Sequence, residues 1–246
     1  MKKHFLSFRQ PSLWKSVSLC AIVFSILSTS CKKSSDTSST TVTEDDAVEI
    51  VARSVDPSTG GLADQVNNNI AIIQNYSGYC GLQKDSTISH SASSTLVSYS
   101  YALHWGWMLT CSSLSVPQRF DFAFTGKSSY DAVRMSSNDS SIATATVTGL
   151  EPTSSQYTFN QSYTRKGSQV SKIRNQNSFT STATLTSTDI KVDKGTKKIA
   201  SGTASINITG ASTSGNSFSY NGSITFLGNN TATVLLNSGT SYTIQW

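Results

Sequence analysis

Apolar side chains recur at every second position over most of the chain, from about residue 87 to the end. In the stretch TLVSYSYALHWGWMLTC, residues 95–111, each odd position from Val97 to Cys111 is apolar. Such alternation is typical of a strand with one buried face, although an aromatic face can also serve as a platform for a ligand. Because so many large side chains would form an unusually large exposed patch, we predict that this face is core, with Tyr99 and Tyr101 as its exposed exceptions.

The same period returns in later segments, such as Phe120, Phe122 and Phe124, between short polar linkers such as RKGS at residues 165–168. Short linkers join antiparallel neighbours, and no helical pattern interrupts the run. We therefore predict a mainly β fold, an antiparallel meander of about nine or ten strands that forms a curved sheet, a barrel or a sandwich. The apolar phase shifts between Leu185 and Ile190, which indicates a bulge or a corner near residues 187–189.

Two segments before the strands follow a helical period instead. Residues 44–55, EDDAVEIVARSV, come directly after Thr43, a residue type that caps helix N-termini. Residues 62–76 are predicted to form a second helix that places Asn67, Asn68 and Asn69 on its polar face. Its apolar stripe consists of Leu62, Val66, Ile70 and Ile73. We expect one or two N-terminal helices packed on the sheet.

The N-terminus has the pattern of an export signal. Basic residues between Lys2 and Lys15 precede the apolar run SVSLCAIVFSIL, which is too short to span a bilayer. We assign residues 1–30 to a signal peptide. The residues LSTSC, Leu27 to Cys31, resemble the lipobox of bacterial lipoproteins of the Bacteroidota type, although Leu27 lies four residues before the cysteine where that family has its aliphatic residue three before.

This resemblance implies that Cys31 is acylated and becomes the mature N-terminus. Residues 31–43, rich in Ser and Thr, would then be a flexible tether, and residues 44–246 a single β-rich domain. The protein would be anchored to the outer membrane by its lipid, on the periplasmic side or at the cell surface. Cleavage near Ser30 without lipidation would give a secreted protein instead.

Removal of the leader changes the charge of the chain. Four of the 19 basic residues lie in the leader, which leaves 15 against 14 acidic residues and gives no reason to expect a nucleic-acid partner. Residues 44–151 carry 5 basic and 11 acidic side chains, whereas residues 152–246 carry 8 and 2. We interpret this difference as two oppositely charged, solvated surfaces of one domain; the alternative is a basic patch that binds an acidic polymer.

Two of the four cysteines remain for a disulfide. Cys20 lies in the leader and Cys31 is the predicted lipidation site. In an exported protein the other two, Cys80 and Cys111, are expected to pair.

Short motifs give little indication of catalysis or of a metal. Gly126, Lys127 and Ser128 resemble the end of a phosphate-binding loop but lack its earlier glycine, so we predict a hairpin turn there. After the leader there are only two histidines, His90 and His104, too few for a typical catalytic zinc site, and His104 is expected to face solvent.

Paired carboxylates could hydrolyse glycosides without any short motif. The candidate acids are Asp121, Asp131, Asp139 and Glu151. All four fall in predicted turns or on polar strand faces, where acids are normally solvated, so we predict no enzyme activity, no cofactor and no metal. The triplet DST at residues 85–87 resembles the O-glycosylation acceptor of exported Bacteroidota proteins, with Ser86 as the modified residue.

These features favour a non-catalytic binding or structural module of the cell envelope, whose partner is a glycan, a surface protein or host material. One alternative is a carrier for a lipid or another apolar ligand, because the predicted outline is similar to that of periplasmic lipoprotein carriers and lipocalins. Another alternative is a small outer-membrane barrel. The Ser-, Thr- and Ala-rich segment NSFTSTATLT argues against a lipid-facing surface.

Overall fold

The computed structural model describes residues 41–76, 79–173 and 176–246, so the leader and Cys31 lie outside the described residues. Two helices, α1 (Glu44–Val55) and α2 (Leu62–Asn75), flank a short 3₁₀ helix at Pro57–Thr59. The strands that follow are β1 (Gln83–Ser93), β2 (Val97–Cys111), β3 (Pro117–Ala132), β4 (Met135–Thr148), β5 (Gln156–Ser171), β6 (Ser178–Asp193), β7 (Ile199–Ser212), β8 (Ser217–Gly228), β9 (Thr231–Leu236) and β10 (Ser241–Gln245).

The strands form one 10-stranded antiparallel sheet in which neighbours in the chain are neighbours in space. The predicted mainly β meander with packed N-terminal helices is therefore confirmed. The described strands form an open sheet and not a closed barrel, because β1 and β10 are its two edges. Within the described ranges, no helix is long and apolar enough to cross a membrane.

Helix α1 begins where the sequence predicts. The Thr43 hydroxyl accepts a hydrogen bond from the Asp46 backbone N–H (3.3 Å), and the Asp46 carboxylate accepts one from the Thr43 backbone N–H (3.0 Å). This reciprocal capping box satisfies two backbone donors that the helix itself leaves free. Packing against the sheet begins one residue before this cap. Val42 is buried, and its carbonyl accepts a hydrogen bond from the Tyr220 hydroxyl (2.6 Å).

Helix α2 buries a wider face than its apolar stripe. Leu62, Val66 and Ile70 are buried as expected. Asn69, which we predicted on the polar face, is wholly buried, and its Oδ1 accepts a hydrogen bond from Nε1 of Trp105 (3.0 Å). Position 69 follows Val66 by three residues and therefore lies on the same side of the helix.

Strand β2 confirms that the aromatic alternation is mainly core. Leu103, Trp105 and Leu109 are buried in the 15-residue strand. Tyr101, which we predicted to be exposed, is also buried. Tyr99 and Trp107 are half-buried. The position of helix α2 explains why Tyr101 is buried and Trp107 is not, since the helix covers the middle of the strand and ends beside Trp107.

The strands are longer than the apolar pattern predicts. Residues 126–128, predicted as a hairpin turn, lie inside β3, and residues 165–168, predicted as a linker, lie inside β5. Gly, Lys and Ser have low strand propensity, but hydrogen bonds to a neighbouring strand on each side override it. Alternation of burial continues through both segments, so the polar side chains Ser128 and Arg165 are turned inward.

The predicted bulge near residue 188 is confirmed. The pairing of β6 shifts register between Ser187 and Lys191 against β7 and opposite Phe159 and Gln161 of β5. Gly202 of β7 has φ +130° beside this bulge, and a Cβ on it would lie 2.7 Å from the Asp189 carbonyl oxygen. Only glycine fits this position without moving the backbone.

The Cys80–Cys111 disulfide is present and spans a sequence separation of 31 residues, with a Cα–Cα distance of 5.7 Å. A loop of this length restricts the unfolded chain by about 3 to 4 kcal/mol in the loop-entropy description. The bond connects the segment before β1 to the end of β2. It therefore holds the edge strand β1, whose side chains are exposed apart from the half-buried Ile88.

Candidate functional site

Helix α2 separates the helix-covered face of the sheet into two different regions. On one side it contacts β5, where Nε2 of Gln161 donates a hydrogen bond to Oε1 of Gln65 (2.6 Å). On the other side it stands beside the exposed strand β1. The first region is a buried polar network, and the second is an open cleft.

The buried network centres on an ion pair between β5 and β4. Nη2 and Nε of Arg165 lie 2.7 and 2.8 Å from Oδ2 of Asp139, and the two side chains are only 4% and 1% exposed. The other carboxylate oxygen accepts hydrogen bonds from Ser137 (2.6 Å) and Gln169 (2.9 Å). Such complete pairing is what allows two charges to remain in a protein interior.

The same guanidinium reaches the helical segment. Nη1 of Arg165 donates to the carbonyl oxygen of Arg53 (2.9 Å) in the last turn of α1, and Nη2 donates to the hydroxyl of Ser128 (2.9 Å). A cation at a helix C-terminus is favourable because it satisfies a free carbonyl and opposes the helix dipole. Arg165 therefore fixes the end of α1 on the sheet.

Gly167 makes room for this network. It pairs with Asp139 across the β4–β5 ladder, and a Cβ at position 167 would lie 2.1 Å from Oδ1 of Asp139. Any larger residue would displace the carboxylate that balances Arg165. The network is a structural connection between helix and sheet, since its charged groups have almost no access to solvent.

The prediction that all four candidate acids are solvated is wrong for Asp139. Asp121 and Asp131 pair with the exposed cations Arg119 and Lys172, and Glu151 is exposed. The part of the chain that the structure describes contains no group of three or more His, Cys, Asp or Glu residues placed to hold a metal ion.

The second region, which we call the α2–β1 cleft, has a volume of about 370 Å³. Its two walls and floor come from α2, β1 and β2. The lining residues are Asn68, Ala71, Ile72, Asn75 and Tyr76 of the helical wall, Lys84 and Ile88 of the edge strand, and Trp107 of the floor. A mainly apolar lining with a few polar groups is typical of small-molecule sites.

One end of the cleft is aromatic. Trp107 is half-buried, and its indole Nε1 is enclosed without any hydrogen-bond partner. The ring of Tyr76 packs edge-on against Phe120 at 5.1 Å between centroids, and the ammonium group of Lys84 lies 5.4 Å from the centroid of the Tyr76 ring. These contacts hold Tyr76 in place beside the Trp107 ring.

Asp64 lies outside this lining, one helical turn before Asn68. Its Oδ1 accepts a hydrogen bond from the Tyr101 hydroxyl (3.3 Å), whereas its Oδ2 is buried without a partner. Burial raises the pKa of this carboxyl to about 6, although hydrogen bonds from Tyr101 and Asn68 and the nearby His90 oppose the shift. The ring of His90 stacks on Tyr101 at 6.0 Å between centroids.

The predicted O-glycosylation site, Ser86, and His104 lie on opposite faces of the sheet. Ser86 is exposed on β1, on the same face of the sheet as Lys84 and Ile88, and it pairs with Trp105. His104 faces solvent on the opposite face, as predicted. Cys31 lies outside the described residues, so its lipidation stays a prediction.

Comparison of the chain with known protein families, with curated proteins and with solved structures finds no match.

Sequence reasoning missed both Arg165 and the role of Trp107. For Arg165 a signal existed, because position 165 continues the odd-numbered series of Tyr157, Phe159 and Tyr163. For Trp107 no local signal existed, since it has the same phase and residue type as the buried Trp105. Only the position at which α2 ends distinguishes them.

Proposed function

We propose that this protein is a non-catalytic binding module of the cell envelope, held at the outer membrane by a lipid on Cys31, and that its α2–β1 cleft takes the ligand. The observation that carries the binding function is the enclosed, unpartnered indole N–H of Trp107 in the lining of an aromatic cleft. A buried tryptophan N–H usually finds a hydrogen-bond partner. A ligand in the cleft would supply it.

The neighbouring side chains support binding without chemistry. Polar groups that face a catalytic centre usually include a nucleophile or a base held by a third group. Here the lining offers two amides, one ammonium group and aromatic rings. These groups can orient and retain a ligand through hydrogen bonds and ring contacts.

The anchor rests on the leader sequence. We expect metabolic palmitate label on the full chain expressed in a bacterium of the Bacteroidota, and loss of that label in Cys31→Ala. The matched control is Cys20→Ala, in which the changed cysteine precedes the cleavage site and the label should remain. Retained label in Cys31→Ala would contradict the anchor.

Binding is tested with the full chain in a detergent that has no sugar groups. The indole fluorescence of the wild type is compared with that of Trp107→Phe while one of three probes is added: a neutral pentasaccharide, a glycine–serine decapeptide or laurate. We expect one probe class to change the Trp107 contribution and to be recovered chemically unchanged. If all three classes leave it unchanged, or if the probe is cleaved, the proposed function is wrong.

A further inference from the structure

The unpartnered polar atoms of the protein are concentrated around α2. Among the residues that the structure describes, five buried side-chain N or O atoms have no hydrogen-bond partner. Three of them belong to Asp64, Asn69 and Trp107, which lie along α2 or on the strand beneath it. One is a carboxylate oxygen and accepts hydrogen bonds, whereas the indole and amide nitrogens donate them.

This pattern decides between ligand classes. A hydrocarbon chain in the cleft would leave the indole N–H unpaired, which is costly. A hydroxyl group can accept a hydrogen bond from the indole and donate one to an amide oxygen of the lining. The cleft therefore fits a ligand that is rich in hydroxyl groups better than it fits an acyl chain.

Two amides along the helical wall fit the same chemistry. Nδ2 of Asn68 donates to the Asp64 carbonyl (2.9 Å), and Nδ2 of Asn75 donates to the Ala71 carbonyl (2.8 Å). Each of these bonds uses one amide hydrogen and fixes the direction of the side chain. The oxygen of each amide and the second hydrogen of Asn75 can therefore serve adjacent hydroxyls as acceptor and donor.

The charge and the length of the cleft narrow the class of ligand. The charged side chain of the lining, Lys84, already has its ammonium group over the Tyr76 ring. From Asn68 to Tyr76 the helix rises by about 12 Å at ~1.5 Å per residue, which suits an extended chain of a few rings. The flat face of Trp107 offers an apolar surface for the C–H groups of one ring.

We propose that the α2–β1 cleft binds a neutral oligosaccharide, with one sugar ring against the indole of Trp107 and its hydroxyl groups bonded to the indole N–H and to the amides of Asn68 and Asn75. This inference rests on the proposed function and names its ligand class. Trp107 is the main contact, and Lys84 with Tyr76 closes that end of the cleft.

The test uses isothermal titration calorimetry on the full chain in the same sugar-free detergent, expressed in a host that leaves Ser86 unmodified. The probes are linear pentasaccharides of glucose, mannose, xylose and N-acetylglucosamine. We expect at least one to bind and Trp107→Ala to weaken its binding about ten-fold or more, the factor that corresponds to ~1.4 kcal/mol. Trp107→Phe keeps a ring but lacks the N–H, so its loss should be smaller.

Two further variants guard against misfolding. Asn75 is exposed, so Asn75→Ala should keep the fold and still weaken binding. Trp246→Ala is the matched control, because Trp246 is also partly buried but packs on Phe226, at the other end of the sheet. We expect its affinity to equal that of the wild type.

Binding that is unchanged in both Trp107→Ala and Asn75→Ala would overturn the inference, as would the absence of binding to every pentasaccharide. The laurate and decapeptide probes then separate the two proposals. If either binds in a manner that depends on Trp107, the binding module stands and the oligosaccharide is wrong. If neither binds, both proposals fail together.

Discussion

The two sides of α2 differ in how their charged groups are paired. Toward β5, Arg165 and Asp139 are enclosed and hydrogen-bonded to the end of α1 and to the sheet, although Oε1 of Gln161 on the same strand is buried without a partner. Toward β1, the indole N–H of Trp107 and one carboxylate oxygen of Asp64 are enclosed without partners. Because an unpaired buried polar group costs about 1 to 3 kcal/mol, the first side has the character of a fixed support and the second that of a binding surface.

The support and the cleft are mechanically connected. Arg165 holds the last turn of α1, the short 3₁₀ helix contacts β2 and β3, and α2 follows directly. A cleft wall held in this way keeps its shape before the ligand arrives, which reduces the entropic cost of binding. The comparison therefore predicts large stability effects on the β5 side, and small stability effects with large binding effects on the β1 side.

The largest effect is expected at the ion pair. Arg165→Met would leave the Asp139 carboxylate buried without its cation and should lower the free energy of unfolding by about 3 to 5 kcal/mol. Urea unfolding followed by circular dichroism measures this change. The double variant Arg165→Met with Asp139→Leu removes both charges and should recover a large part of the loss. A loss below about 1 kcal/mol in the single variant would show that the network does not hold the helices.

The next comparison uses two tryptophans on one face of β2. Trp105 is fully buried and donates to Asn69, so Trp105→Ala should cost about 3 to 5 kcal/mol. Trp107 is half-buried and has an unpaired N–H, so Trp107→Ala should cost about 1 kcal/mol. Equal losses in chemical denaturation would mean that Trp107 is core and that the cleft is not a preformed site.

A further effect concerns Asp64 and depends on pH. The pKa of its carboxyl is about 6 in the folded chain against 3.8 as its ordinary value, so the folded state binds more protons between these two values. The free energy of unfolding therefore falls as pH rises through this window. Asp64→Asn removes this loss and should be more stable than the wild type by about 1 to 2 kcal/mol above pH ~6.5, allowing for partial exposure, with little difference below pH ~4.

The matched control is Asp85→Asn, which changes an exposed acid on β1. Its stability should stay within about 0.5 kcal/mol of the wild type across the same range. If Asp64→Asn shows the same flat difference, Asp64 is not the strained group that the cleft geometry indicates.

Local chemistry was enough to predict most of the fold from the sequence. Thr43 with the acids after it marks the start of α1, alternation marks the strands, and the phase shift after Leu185 marks the bulge. The disulfide followed from counting the cysteines that remain after export. Each of these features depends on residues that are close in sequence or on a simple count.

The candidate site depended on distant contacts and could not be predicted in the same way. Arg165, Gly167 and the serines around them have the composition of a turn, and only their pairing with β4 and β6 makes them strand. Asn69 was assigned by composition to a polar face that the sheet in fact covers. The cleft itself exists because α2 covers β2 but leaves β1 open, a fact of tertiary packing.

The most direct test of the cleft uses nuclear magnetic resonance of the indole N–H groups in the full chain. The four tryptophans are Trp14, Trp105, Trp107 and Trp246. During titration with the pentasaccharide that binds, we predict that the Trp107 signal shifts most, because its N–H gains a partner, whereas the Trp105 signal changes little because it already donates to Asn69. Binding that moves the Trp246 or Trp14 signal and leaves Trp107 unchanged would contradict the account.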